Sequence, residues 1–554
     1  MILTRVICGF CLAISAAAAL AAQIPAFPSA EGFGAGSTGG RGGDVYIVTN
    51  LNASGPGSFA NGIQTVPKQG RTIVFAVSGY IPINKLFLKA SNVTIAGQTA
   101  PGDGVGLRDS CFWISGSNVV VRFMRFRHGK NGNGGDSLET DSGARDLILD
   151  HCDVMFSADE NFSMFKSAPP TMTFQWSINA WGLQHHSAGG LWMIDHTTAH
   201  HTLWANNHTR NPKCIRPAAF DWVNNVTFGW DIGMNLAGAD LPGVYQANIR
   251  GSTFIHGGNT KSAIFGGGKL TNGVMPFTVH MDDCVLDGNG NGQLDFTATN
   301  YALFSGELYH RQAGPFPQTL AANPAQPKDP ILGAPLHVDD RATAYKMVIS
   351  QVGALRMDVD AAKPLRDEVT ALVVKDVVTQ HRHIITNETD LAVSGKGFGT
   401  LQPTPAPADS DRDGMPDFWE KTLGWNPAVD DHNELVAGPT FFPLTTPAGY
   451  TRLEEYLHFL AIPHGVVAKN VAGAPTNIRV DLRKFASGFT ASPVFTIADV
   501  SRGAVSQSAE VGCVATFTPT LNYTGRATFD FTVTDREGSS WKQTCAMLVV
   551  VSQP

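Results

Sequence analysis

The chain has 554 residues and a net charge of −7, from 47 Asp and Glu against 40 Lys and Arg. That length exceeds one ordinary core and predicts roughly two to four domains. The mildly acidic balance excludes nucleic acid or another polyanion held by a general field, so an acidic ligand must be gripped locally, by a metal or a few Arg and Lys.

Met1 to Arg5, an apolar run and the alanine-rich residues 16–22 read as a secretory leader over residues 1–22, cleaved near Ala21 or Ala22. Its apolar part is short for a membrane span. The mature chain is therefore expected to be periplasmic or extracellular, without a membrane span, and a monomer. Cys8 and Cys11 leave with the leader. Cys513 and Cys545 share one small module and could bridge in an oxidising compartment, while Cys111, Cys152, Cys214 and Cys284 read as buried thiols.

The 58 glycines follow no collagen period and predict many tight turns between short strands. The glycine-rich stretch from Thr38 to Asp44 precedes a strand, and no Gly-Lys-Ser/Thr follows it, so it is not a phosphate loop. From Arg71 onward, short apolar runs ending in Asn, Asp or Gly recur at Thr72, Asn92, Asn118, Asp146, Thr171, His201, Asn225, Asn248 and Phe277. No helical pattern intervenes, and stacked repeats of that length imply a right-handed parallel β-helix over residues 23–395. A β-sandwich or propeller is the alternative. Residues 342–353 and 365–378 have helical spacing and are expected outside the coil.

A Pro- and Ala-rich linker at residues 403–408 leads into Asp409, Asp411, Asp413, Gly414, Asp417 and Glu420. These occupy positions one, three, five, six, nine and twelve of a calcium loop. Residues 396–465 are thus expected to form a linker and an EF-hand-like calcium segment with short helices. Residues 470–554 alternate apolar and polar positions in the manner of a small accessory β-sandwich. The fold class is all-β.

Between Asp136 and Arg216 lie the groups that carry chemistry. Asp136, Asp150 and Glu160 fall near successive strand ends, where coil stacking would gather them into a calcium site, with Asp159 as a substitute ligand. The bland reading is that Asp136 and Asp150 merely terminate strands. His185, His186, His196, His200, His201 and His208 lack a crisp ligand spacing for zinc. Among the tryptophans, Trp192 is a candidate sugar-stacking residue. The run from Arg210 reads Arg-Asn-Pro-Lys, ending in Lys213, with Arg216 beyond.

Together with Asp150-His-Cys and the run from Ser157 to Ser163, these residues resemble polysaccharide lyase family one, the pectate lyases. The resemblance spans roughly residues 27–391 and includes the segments beginning at Ala30, Thr49 and Ile95. It implies a calcium-dependent β-elimination on homogalacturonan, with Asp136, Asp150 and Glu160 as ligands and Arg210 as the proton acceptor. A guanidinium is rarely neutral, so His208 is the substitute base and Lys213 a supporting cation. His185 and Arg216 are expected to bind substrate. Two departures stand out: Ile215 occupies the place of a second arginine, and no lysine falls near residues 184–186. A lyase on another uronate polymer, or a non-catalytic polysaccharide-binding β-helix, are the alternatives.

Overall fold

The computed structural model describes residues 24–141, 143–164, 171–193, 196–215, 218–236, 245–257, 277–303, 309–316, 336–438, 440–441, 449–474, 476–508 and 512–553. The expected leader and Arg216 lie outside the described residues.

Most of the apolar runs stack as a parallel β-helix. Successive coils add strands to three sheets, of 11, 7 and 10 strands among the described residues. In the 11-stranded sheet the inward column runs Ile73, Ile95, Val121, Leu149, Phe174, each in register with the next. All five are completely buried. Each such side chain contributes about 1.5–3 kcal/mol of burial, so the column of like on like is what fixes the coil register.

The corners need left-handed backbone. At one corner Asn92 and Asn118 take φ 60° and 56°, and the Asn118 side-chain amide donates to Asn92 Oδ1 at 2.8 Å. Asn tolerates that conformation well. At another corner Phe123, His151, Trp176 and His201 all have positive φ and form a ring stack with centroids 4.7, 5.9 and 4.5 Å apart.

Helix α1 (Phe59–Gln64) covers the first coils, its Phe59 ring 5.9 Å from both Phe75 and Phe112. Helices α2 (Arg341–Gln351) and α3 (Glu368–Val378) lie outside, as the apolar spacing predicts. Their Val348, Ile349, Val369, Val373 and Val377 pack on Ile178, Leu203 and Val226 of the 10-stranded sheet. Asp367 caps α3 through the Val369 and Thr370 amides and also pairs with Arg125 and Arg127 on the coils, at 2.8 and 2.9 Å.

Two further helices follow, α4 (Asp417–Leu423) and α5 (Arg452–Ala461). Helix α4 stops at Gly424, which takes the left-handed conformation that suits glycine. A four-stranded and a three-stranded sheet close the chain around Phe485, Phe517, Phe529 and Phe531. The cysteine bridge considered above does not form: Cys513 and Cys545 are separate buried thiols. Cys545 stands opposite Phe529 within the four-stranded sheet, whereas Cys513 leads into Val514–Pro519 of the other.

Candidate active site

The seven-stranded sheet carries the site. Asp136 lies in Asn133–Thr140, where pairing with the preceding coil is interrupted between Asn133 and Leu138. A bulge of this kind re-aims side chains away from the ladder. On the next coil Glu160 bridges to Ala188, which bridges in turn to Thr209. This lateral stack brings residues remote in sequence together: the Glu160 amide donates to Asp136 Oδ1 at 3.1 Å, and Arg210 pairs with Glu160.

Asp159 pairs with His186 at the more open edge, each about half exposed. Asp159, Glu160 and His186 each offer a ligand atom within 4.8 Å of the others. Asp136 is buried. Burial, with Glu139 and Asp159 nearby, pushes its carboxyl up to about 8, against the opposing effects of Ser163 and Arg210. Lys213 is held below the usual lysine range by partial burial and by the neighbouring Arg210. His185 is exposed beside this group.

Several sequence expectations need correction. Asp150 is not at this site: it ends Arg145–Asp150 in the 11-stranded sheet, completely buried. Arg122 meets it at 2.7 Å, His151 at 2.9 Å and Gln175 at 2.8 Å. Burial opposes its charge, but His151 and Arg122 hold it well below the usual carboxylate range. Trp192 is completely buried and donates to the Phe162 carbonyl at 3.0 Å, so it is core rather than a sugar platform. Asp417 does not join the other acids of the calcium loop: at the first turn of α4 it accepts from the Ser410 amide and hydroxyl at 2.8 and 2.9 Å. Of the histidines, His200 is buried against Gln175 and His201 stacks on Trp176.

Two residues escaped the sequence reading. His208 Nδ1 lies 2.5 Å from Asp231 Oδ2, and Arg382 donates to Asp231 Oδ1 at 2.5 Å and to the Gly229 carbonyl at 3.2 Å. Arg382 arrives from beyond α3, so no local spacing announces it. A cavity of about 670 Å³ lies elsewhere, lined by Asp103, Arg125, Arg356, Asp358 and Arg479. None of the converging acids lines it, so it is not the catalytic cleft.

Comparison with known proteins completes the picture. No protein-family model matches the chain. A protein named "Probable pectate lyase C" from Aspergillus fumigatus is 33% identical over 448 residues, covering 78% of this chain and 93% of that protein. The same name is carried by relatives in Aspergillus terreus, 32% identical over 462 residues with coverage of 82% and 96%, and in Aspergillus oryzae, 32% identical with coverage of 78% and 94%. A solved point mutant of a Bacillus subtilis pectate lyase aligns over 61% of this chain and 99% of its own, with 15% identity and a TM-score of 0.39. On the strength of this likeness, which covers 78% to 82% of its length, the chain belongs to the pectate lyase C family.

Proposed function

We propose that the chain is a calcium-dependent lyase that cleaves pectate by β-elimination. The observation that carries this reading is the convergence of Asp136, Glu160 and Arg210 through the bridged ladder, in a chain whose relatives are named for that substrate. The donor set suits calcium: carboxylate oxygens are hard ligands, and buried Asp136 stands among other acids that oppose its ionisation. Asp136, Asp159 and Glu160 would hold the ion. Held by those residues, a calcium ion would supply positive charge to the uronate carboxylate and so make the hydrogen at C5 more acidic.

Arg210 accepts that proton. The C5–H bond breaks, its electron pair forms the C4–C5 double bond, and the C4–O bond breaks with its pair leaving on oxygen, which takes a proton from solvent. Because a guanidinium holds its proton tightly, Arg210 must first leave its pairing with Glu160 and give one proton to solvent, helped by the neighbouring Lys213 charge, so that its neutral side chain takes the C5 proton. Lys213 directs a second positive charge toward the uronate. The imidazole of His208, oriented by Asp231 and Arg382, favours a second assignment of the base. Residues 1–22 would serve as an export leader. No helix among the described residues is long and apolar enough to cross a membrane.

The test is ultraviolet absorbance of the unsaturated uronate product, on polygalacturonate with calcium and then on other uronans. Absorbance on polygalacturonate that disappears with a chelator supports the proposal. Absorbance confined to another uronan moves the substrate, and none on any uronan replaces the lyase with a polysaccharide-binding β-helix.

A further inference from the structure

The loop that opens at Asp409 plays no part in the elimination, yet it gathers several poorly compensated acids. Asp409, Asp411 and Asp413 each bring a carboxylate oxygen within 4.8 Å of the others, and Asp413 does the same with Glu420 and Asp431. Backbone amides shape the turn: Arg412 and Gly414 donate to Asp409 at 2.8 and 3.1 Å, and Met415 donates to Asp413 at 2.9 Å. Gly414 sits at φ +91°, which excludes most side chains there.

Glu420 is the decisive residue. It is completely buried, and neither carboxylate oxygen has a hydrogen-bond partner. Asp411 Oδ2 and Asp431 Oδ1 are unpartnered in the same way. Arg452 pairs with Asp431 only through the other oxygen. A bare buried carboxylate costs several kcal/mol unless a cation meets it. Burial and then Asp413, Asp411, Asp431 and Asp409 push Glu420 up to about 8. Asp417 takes no part, being paired with Lys421 at 3.0 Å as well as with Ser410.

We propose that a calcium-class divalent cation binds among Asp409, Asp411, Asp413, Glu420 and Asp431, with Asp431 in the place the loop spacing gives to Asp417, and that it fastens the 430–433 loop to the start of the β-helix. Two oxygens from Glu420 and one from each aspartate supply six hard donors, within the calcium range. The mechanical link is direct. The Asp431 amide donates to Asp413 Oδ2 at 3.3 Å. His432 and Asn433 then meet the Gly43 carbonyl at 3.0 and 2.8 Å, and the Gly42 amide donates to Asn433 Oδ1 at 3.1 Å. Met415 and Trp419, both within the second half of the loop, pack in one cluster with Val74 and Ala96 of the coils and Leu548 and Val550 of the last strand. Ordering this loop therefore ties the first coils, α4 and the C-terminal sheet together.

The test uses the full-length, chelator-treated protein carrying Glu160→Gln, so that the other acidic site is weakened and no substrate or activity is involved. Calcium uptake is measured by titration calorimetry and its effect on the thermal midpoint by calorimetric melting. The parent and its added Asp417→Asn variant should bind one calcium and melt several degrees higher with it. Added Asp431→Asn should weaken binding by roughly tenfold or more, and added Glu420→Gln should abolish both binding and the shift. Absence of uptake in the parent, or loss of binding in Asp417→Asn with retention in Asp431→Asn, overturns the proposal. Failure of the elimination reading would leave this result untouched.

Discussion

Asp150 and Glu160 are ten positions apart and carry the same charge, yet only one of them faces the acids of the site. Asp150 is enclosed by Arg122, His151 and Gln175, with Arg122 in turn 3.8 Å from the Phe27 ring centroid. Its job is to neutralise a buried guanidinium. Asp150→Asn should therefore destabilise the fold by about 3–5 kcal/mol in denaturant titration, while calcium affinity stays as in the parent. A stable Asp150→Asn protein with weakened calcium binding would return Asp150 to the ligand set. The residue types of the site were legible in the sequence: paired carboxylates, then Arg-Asn-Pro-Lys. What was not legible was which of three sheets each strand end belongs to, and that alone separates Asp150 from Asp136 and Glu160. Trp192 was misread for a related reason. Inside a solenoid, tryptophans fill the bore, as the 5.3 Å contact between Trp192 and Trp204 shows.

At the scale of elements, helix α5 shows how a helix with a clear apolar stripe can still bury charge. Thr451 and Glu454 form a capping box at its start, and Glu454 pairs with Arg41 at 2.7 Å. His458 on the same helix is buried, and burial followed by the nearby Arg122 charge lowers it to about 3. Between pH 6.5 and 3 the unfolded chain binds a proton at this position that the folded chain does not. Stability therefore falls as pH drops through that window, by up to about 1.4 kcal/mol per unit. Glu454 and Glu455, raised by burial, act in the opposite sense, so the comparison must be by difference. His458→Gln should flatten the acid slope of the unfolding free energy between pH 6.5 and 3. An unchanged slope would show that His458 is protonated in the folded state. The helices themselves were legible from apolar spacing, whereas the buried pairing of Asp367 with Arg125 and Arg127 depends on tertiary packing that no local window contains.

For the whole molecule, the repeat of short apolar runs revealed the coil, because most of the runs are strands of the longest sheet. The reading drifted at two later coils. It took the runs at His201 and Asn225 as members of the series, but Leu203–Ala205 and Val226–Phe228 belong to the 10-stranded sheet, while His196–His200 and Ala218–Val223 continue the first. The C-terminal sheets also pack against the coil and its outer helices. Trp541 stacks on Trp176 of the coil at 6.0 Å, and buried Lys346 of α2 reaches Asp535 at 2.5 Å and Ser539 at 2.9 Å. These contacts close the outer face of the solenoid beside the aromatic corner stack. The claim on which the account rests is that coil stacking, and not sequence proximity, assembles Asp136, Glu160 and Arg210 into one reacting group. The most direct test is the initial rate of unsaturated-product formation on polygalacturonate with calcium, at matched folded concentrations of the parent, Glu160→Gln and Arg210→Ala. The account predicts that each variant loses at least about a hundredfold in rate while melting within a few degrees of the parent; near-parental rates in both would contradict it.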